Sequence, residues 1–169
     1  MERSENLYYA SVTISGIKFD IFSTRKGISK ILLNKKSSQI NSMEATKLYA
    51  DDPFMFSVFT QLKEYFSLKR KKFYVPLDIE GTEFQTKVWN ELKKIPYGKT
   101  ASYKDIAIAI GNVKAVRAIG MANGSNPVPV IIPCHRVIES SGKLGGYSAG
   151  SGIKEKLLEL EGSLSMELF

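Results

Sequence analysis

The spacing of hydrophobic and polar positions changes period as the chain proceeds. Val12, Ile14, Ile17, Phe19 and Ile21 alternate with polar residues around Ser15-Gly16. A period of two with a small turn pair at its centre predicts a hairpin, and Ile28 to Leu33 offers a third short strand. Asp51-Asp52-Pro53 then reads as a helix start, because Met55, Val58, Phe59, Leu62, Tyr65 and Phe66 recur at three- to four-residue spacing. Lys69-Arg70-Lys71-Lys72 predicts a solvated loop, and Val75, Leu77 and Ile79 alternate again as a strand.

At Glu80-Gly81 strand pattern gives way to helix pattern, which sets a boundary between residues 1–80 and 81–169. Thr82 and Gln85 have capping-box spacing, and Phe84, Val88, Leu92 and Ile95 form the stripe of the helix they open. Pro96 and Gly98 end it. Ser102 caps a predicted helix from Tyr103 to Ile110, stopped by Gly111, and Asn112 caps a second from Val113 to Asn123, stopped by Gly124. Two short helices joined by Gly-Asn read as a helix-turn-helix. An apolar stretch from Val128 to Val137, a glycine-rich turn from Gly142 to Gly146 and a helix from Ile153 to Glu161 follow. The fold class is α/β (α+β): an N-terminal sheet-plus-helix domain, then a mainly helical domain containing the helix-turn-helix.

Composition narrows the chemistry. The 169 residues are 43% hydrophobic and 24% charged, an ordinary globular balance. No apolar run reaches the length of a membrane span, and the acidic, polar start shows no secretory signal, so the expectation is a cytoplasmic protein. One cysteine excludes an internal disulfide, and with one histidine it cannot close a zinc site. Net charge is +7, and residues 84–152 hold nine Lys/Arg against three Asp/Glu. That excess fits a polyanion partner, although a solvated surface explains it equally well.

The unique cysteine and unique histidine are adjacent in Ile131-Ile132-Pro133-Cys134-His135-Arg136-Val137-Ile138. A neighbouring base and cation favour thiolate, the nucleophilic form. In an extended segment adjacent side chains diverge, so a Cys–His contact needs a turn or a bridging water. Read alone, a lone cysteine in an apolar run is more often an inert core residue. The second helix of the helix-turn-helix carries one lysine, Lys114, one arginine, Arg117, and several small residues. Small residues suit a narrow minor groove or tight helix packing.

Pro133-Cys134-His135-Arg136-Val137, preceded by Asn126-Pro127-Val128-Pro129 and followed by Gly145-Gly146-Tyr147-Ser148, resembles the O6-alkylguanine–DNA alkyltransferases, or methylated-DNA–protein-cysteine methyltransferases. The resemblance runs from about Phe84 to Gly162, while the first half matches only in size and strand-then-helix outline. It implies DNA repair by stoichiometric, irreversible transfer of an alkyl group from O6-alkylguanine, and also O4-alkylthymine, to Cys134. His135 would deprotonate Cys134 through a water, Glu161 would orient the imidazole, and Asn126 would hold the turn beside the recognition helix. Val137, Tyr147 and Ser148 would form the guanine pocket. Tyr103 would press on the target phosphate, Arg117 would replace the flipped base, and Lys104, Asn112 and Ser140 fall at DNA-contacting positions. The implied partner is double-stranded DNA containing alkylated guanine, with no membrane, no cofactor and a monomeric protein.

Two positions depart from the family. Gln85 stands where some members place a hydroxyl near the DNA backbone, and the zinc ligands of some N-terminal domains are absent, leaving no metal site. Three rivals remain: a lesion-binding relative, which would lack the cysteine; a cysteine hydrolase, which would turn over; and a plain helix-turn-helix regulator, indifferent to Cys134.

Overall fold

The computed structural model describes residues 6–41, 43–49 and 51–164. The chain divides into two compact units, Met1–Glu80 and Gly81–Phe169. In the first, β1 (Tyr8–Ile14) and β2 (Ile17–Ser23) are antiparallel, with Ile14 opposite Ile17 across the turn. Ser15 and Gly16 both take positive φ, the conformation a tight hairpin turn demands of both central residues. β3 (Ile28–Leu33) pairs antiparallel with β2, and the two-residue β4 (Thr46–Lys47) pairs parallel with β1, giving the order β3-β2-β1-β4.

A short α1 (Ser37–Asn41) and the longer α2 (Pro53–Phe66) complete the described elements of this unit. α2 starts where the sequence says. Asp52 Oδ1 accepts from the amides of Phe54 and Met55, and Pro53 occupies a position whose missing N–H has no partner to lose. Met55, Val58, Phe59, Leu62 and Tyr65 are buried with Phe19 and Ile21 of β2 in the unit's core. The strand expected at Val75–Ile79 does not form. Pro76 has no N–H to donate, so the segment reaches β3 through one parallel bridge, Ile28 to Leu77. In the Lys69–Lys72 run Arg70 is half-buried, paired with Glu64 at 2.7 Å; its three lysines are exposed.

In the second unit α3 (Glu83–Leu92) opens with the reciprocal Thr82–Gln85 capping box. Val88, Leu92 and Ile95 are buried as expected, Phe84 only half so, and Trp89 is buried with its indole N–H on the Ala122 carbonyl at 2.8 Å. β5 (Ala101–Ser102) leads into α4 (Tyr103–Ala109), where Ser102 and Asp105 form a second capping box. α5 (Val116–Gly124) begins later than expected. Residues 112–115 close a turn, Ala115 N–H to Asn112 C=O, so Asn112 caps nothing. α4 and α5 pack together as the helix-turn-helix. β6 (Val137–Ile138) pairs parallel with β5, and α6 (Ser151–Leu160) starts two residues early, with Glu161 as its C-cap. Among the described residues no helix is long and apolar enough to cross a membrane.

Candidate active site

Prolines at 127, 129 and 133 remove three backbone donors, so the segment from Asn126 to Arg136 cannot join a ladder. Side chains hold it instead. Asn126 Nδ2 donates to the Ile132 carbonyl at 2.8 Å while its Oδ1 accepts from the Val128 amide at 3.0 Å. Asn123 Nδ2 on α5 donates to the Cys134 carbonyl at 3.3 Å, and Lys154 Nζ on α6 donates to the Val137 carbonyl at 2.6 Å. Three carbonyls around the cysteine are thus tied by three buried side chains. Val130, within this segment, has φ +75°, a conformation costing a β-branched residue about 1–3 kcal/mol that only surrounding constraint maintains.

Cys134–Arg136 form a single 3-10 turn, with Arg136 N–H on the Pro133 carbonyl. The turn sends His135 to Glu161, Nε2 lying 2.9 Å from Oε1. Arg136 grips the same carboxylate through Nε at 2.8 Å and a terminal nitrogen at 2.9 Å, while its other terminal nitrogen reaches the Ile95 carbonyl at 2.7 Å. A carboxylate can only accept, so Nε2 carries the proton and Nδ1 keeps a lone pair. Nδ1 is buried and has no hydrogen-bond partner among the described residues. Burial holds the imidazole's pKa below its ordinary value against the opposing pull of Glu161, so at neutral pH it is an unprotonated base.

Cys134 is 2% exposed, its Sγ 3.9 Å from the Tyr147 hydroxyl. Burial pushes its pKa up, partly offset by hydrogen bonds from Asn126 and Tyr147 and by the Lys154 charge. The expectation of a thiolate favoured by the neighbouring His and Arg is therefore corrected. His135 is neutral and Arg136 is committed to Glu161, so the resting group is a thiol that needs a base.

Tyr103, Arg117, Tyr147 and Ser148 line one cavity of about 510 Å³, together with Asn123 and Gly120. Gly145 closes one wall at φ +71°, and a β-carbon there would lie 3.3 Å from the Tyr103 hydroxyl. Lys104 and Ser140 line a second cavity of about 420 Å³ beside β5 and β6. Asn112 is exposed at the turn before α5, and Val137 is buried outside the lining of the first cavity, its carbonyl taken by Lys154 Nζ. Gln85 Nε2 donates to Ser125 Oγ at 3.0 Å, linking the start of α3 to the end of α5.

Two family models match: "6-O-methylguanine DNA methyltransferase, DNA binding domain" over residues 83–163, and "6-O-methylguanine DNA methyltransferase, ribonuclease-like domain" over residues 8–79. A methylated-DNA–protein-cysteine methyltransferase of Methanosarcina acetivorans is 55% identical over 113 residues, 67% of this chain and 72% of that one. An inducible one of Bacillus subtilis is 39% identical over 170 residues, 96% and 94% of the two chains. The chain belongs to this methyltransferase family. A solved Mycobacterium tuberculosis relative in complex with DNA superposes with a TM-score of 0.81 at 40% identity, covering 92% and 93% of the two chains. The α/β class, the sheet-plus-helix first unit and the helical second unit with its helix-turn-helix all agree with this membership.

Sequence reasoning on this methyltransferase missed Asn123 and Lys154 as parts of the site, and took Arg136 for the thiolate's cation when its partner is Glu161. All three are buried, and Arg and Lys are ordinarily surface residues whose burial no periodicity announces. A lysine on the buried stripe of α6, in register with Leu157 and Leu158, was the available signal for Lys154.

Proposed function

We propose that this alkyltransferase repairs DNA by moving the alkyl group of O6-alkylguanine onto Cys134, once per molecule. The observation that carries the reading is the fixed tautomer of His135. Glu161 holds Nε2–H, which leaves a neutral Nδ1 lone pair as the base nearest in sequence to the only cysteine. Through one water, Nδ1 takes the thiol proton as sulfur attacks the alkyl carbon. The S–C bond forms, the C–O6 bond breaks, and its electron pair stays on the base, which takes up a proton and leaves as guanine. The product is a thioether on a chain that has no second cysteine to displace it.

A base stacked in a duplex hides its O6 substituent, so the lesion must be extruded at a cost of a few kcal/mol. Tyr103 and Arg117 line the same cavity as Tyr147 and Ser148, which supports extrusion into it, with Tyr103 pressing on the phosphate and Arg117 filling the vacated stack. Lys104, Asn112 and Ser140 are exposed and would meet the DNA backbone. The partner is double-stranded DNA, met by a monomer in the cytoplasm, without metal or cofactor.

The test is intact-mass measurement after mixing with a duplex carrying O6-methylguanine. One methyl replacing one hydrogen per chain, absent in Cys134→Ala although that variant still binds the duplex, is the expected result. Continued clearance of the lesion by Cys134→Ala would overturn the assignment, and steady turnover would point to a hydrolase.

A further inference from the structure

The basic run Lys69-Arg70-Lys71-Lys72 lies on the first unit, and alkyl transfer at Cys134 gives it no role. Residues 63–74 hold five Lys/Arg against one acid, Glu64, which Arg70 takes at 2.7 Å. Lys63, Lys69, Lys71 and Lys72 are all exposed. The turn that carries the last three is pinned at several points. The Lys69 amide donates to the Glu64 carbonyl at 2.8 Å and the Leu68 amide to the Tyr65 carbonyl at 3.1 Å, a Schellman closure of α2. Leu68 sits there at φ +62°, a conformation usually left to glycine. Arg70 Nη1 donates to the Lys72 carbonyl at 2.9 Å, and its guanidinium carbon lies 6.0 Å from the centre of the Tyr74 ring. Buried Gln61 holds the Tyr74 backbone by both its N–H and its C=O, at 2.8 and 3.1 Å, yet Tyr74 itself stays 74% exposed.

Arg70 is the cation spent on building the turn, and the lysines are what the turn presents. Cations on a fixed backbone lose less conformational freedom on meeting a partner than cations on a loose one. Separate ammonium groups suit a polymer of separate phosphates, where each neutralised phosphate releases a counterion, and a tyrosine hydroxyl is a further phosphate donor. We propose that the turn from Lys69 to Tyr74 is a second DNA-backbone contact, carried by the first unit and distinct from the helix-turn-helix of the second. It rests on the reading that this protein acts on duplex DNA. Phosphates are alike at every step, so the contact adds hold on the duplex without regard to sequence or to the lesion. Its groups belong to the first unit and the Cys134 relay to the second, so removing the lysines leaves the chemistry of transfer untouched.

The experiment titrates an undamaged duplex and one carrying O6-methylguanine across a range of salt. It compares the parent, a variant with Lys69→Gln, Lys71→Gln and Lys72→Gln together, and a charge-matched control. The control replaces three other exposed lysines of the first unit, Lys30→Gln, Lys35→Gln and Lys47→Gln. Each lost phosphate contact removes about 0.9 from the slope of log affinity against log salt, so the turn variant should flatten that slope by about two to three on both duplexes. The control should flatten it by less than one. Melting temperature and transfer from free O6-benzylguanine should match the parent in both variants. A turn variant with the parent's slope overturns the proposal, and so does a control that flattens it equally, because net charge rather than a contact would then be at work. A parent that binds the duplex but never takes up its methyl group would strike the proposed function, while the same titrations would still read the contribution of the turn.

Discussion

The two units differ in what their interiors do with polar groups. In the first, the buried polar residues stand apart from one another. Gln61 exchanges two hydrogen bonds with the Tyr74 backbone, at 2.8 and 3.1 Å, and Asp20 Oδ1 takes Ser11 at 2.5 Å and Lys18 at 3.2 Å. In the second, Asn123, Asn126, His135, Arg136, Lys154 and Glu161 are all buried around one segment and bond to it or to each other. Isolated buried polar groups stitch a fold together. A connected set, at a desolvation cost a purely structural core would avoid, marks where chemistry is held in position.

Equal swaps of carboxylate for amide test that difference most severely. Glu161→Gln leaves the Arg136 cation buried without its counter-charge and should cost about 3–5 kcal/mol. Asp20→Asn in the first unit keeps an acceptor for Ser11 and loses only a half-exposed lysine pairing, about 1 kcal/mol. Denaturant unfolding of each variant beside the parent measures both. Similar losses in the two units would break the contrast.

The second test is one that only the connected interior can show, because the first unit has no histidine. Burial holds His135 below the ordinary histidine value of 6.5. Below that pH the unfolded chain binds a proton that the folded chain refuses, so stability is complete above it and is lost as pH falls toward the folded pKa. The slope is at most about 1.4 kcal/mol per pH unit and ends where folded His135 itself protonates. Subtracting the pH profile of His135→Gln from that of the parent isolates it from the carboxylates. A difference profile with no slope below pH 6.5 would mean the imidazole is not held neutral.

Local chemistry made much of this legible in the sequence. Ser15-Gly16, Asp52-Pro53 and the two capping boxes start or turn elements where expected, because each satisfies named backbone groups within a few residues. β4 has two exposed residues and no periodicity to betray it, and Val75–Ile79 mimics a strand whose pairing Pro76 curtails. Asn112 has a capping side chain but sits in a turn that delays α5. The Cys134–His135 pair was visible as a motif. The lone pair on Nδ1, the thiol at rest and the three tied carbonyls were not, since each depends on groups far away in sequence, Glu161, Lys154 and Asn123 among them.

The smallest stability effect belongs to Arg117, and it separates the buried relay from the face that meets DNA. Arg117 is exposed on α5 and lines the cavity, so truncation to alanine removes no buried partner, and the melting temperature should stay essentially unchanged. Transfer should respond according to substrate. Free O6-benzylguanine needs no extrusion and meets only the cavity and the Cys134 relay, so Arg117→Ala should leave its rate within about threefold. A duplex must first unstack the lesion, and a side chain that fills the gap stabilises the extruded arrangement by a share of that few-kcal/mol cost. Losing it should slow duplex repair roughly ten- to a hundredfold. Side-by-side rate measurements on the two substrates read the ratio directly, independent of how much protein is active. Equal slowing on both would place Arg117 with the pocket, and equal indifference would leave the vacated stack to another residue of α5.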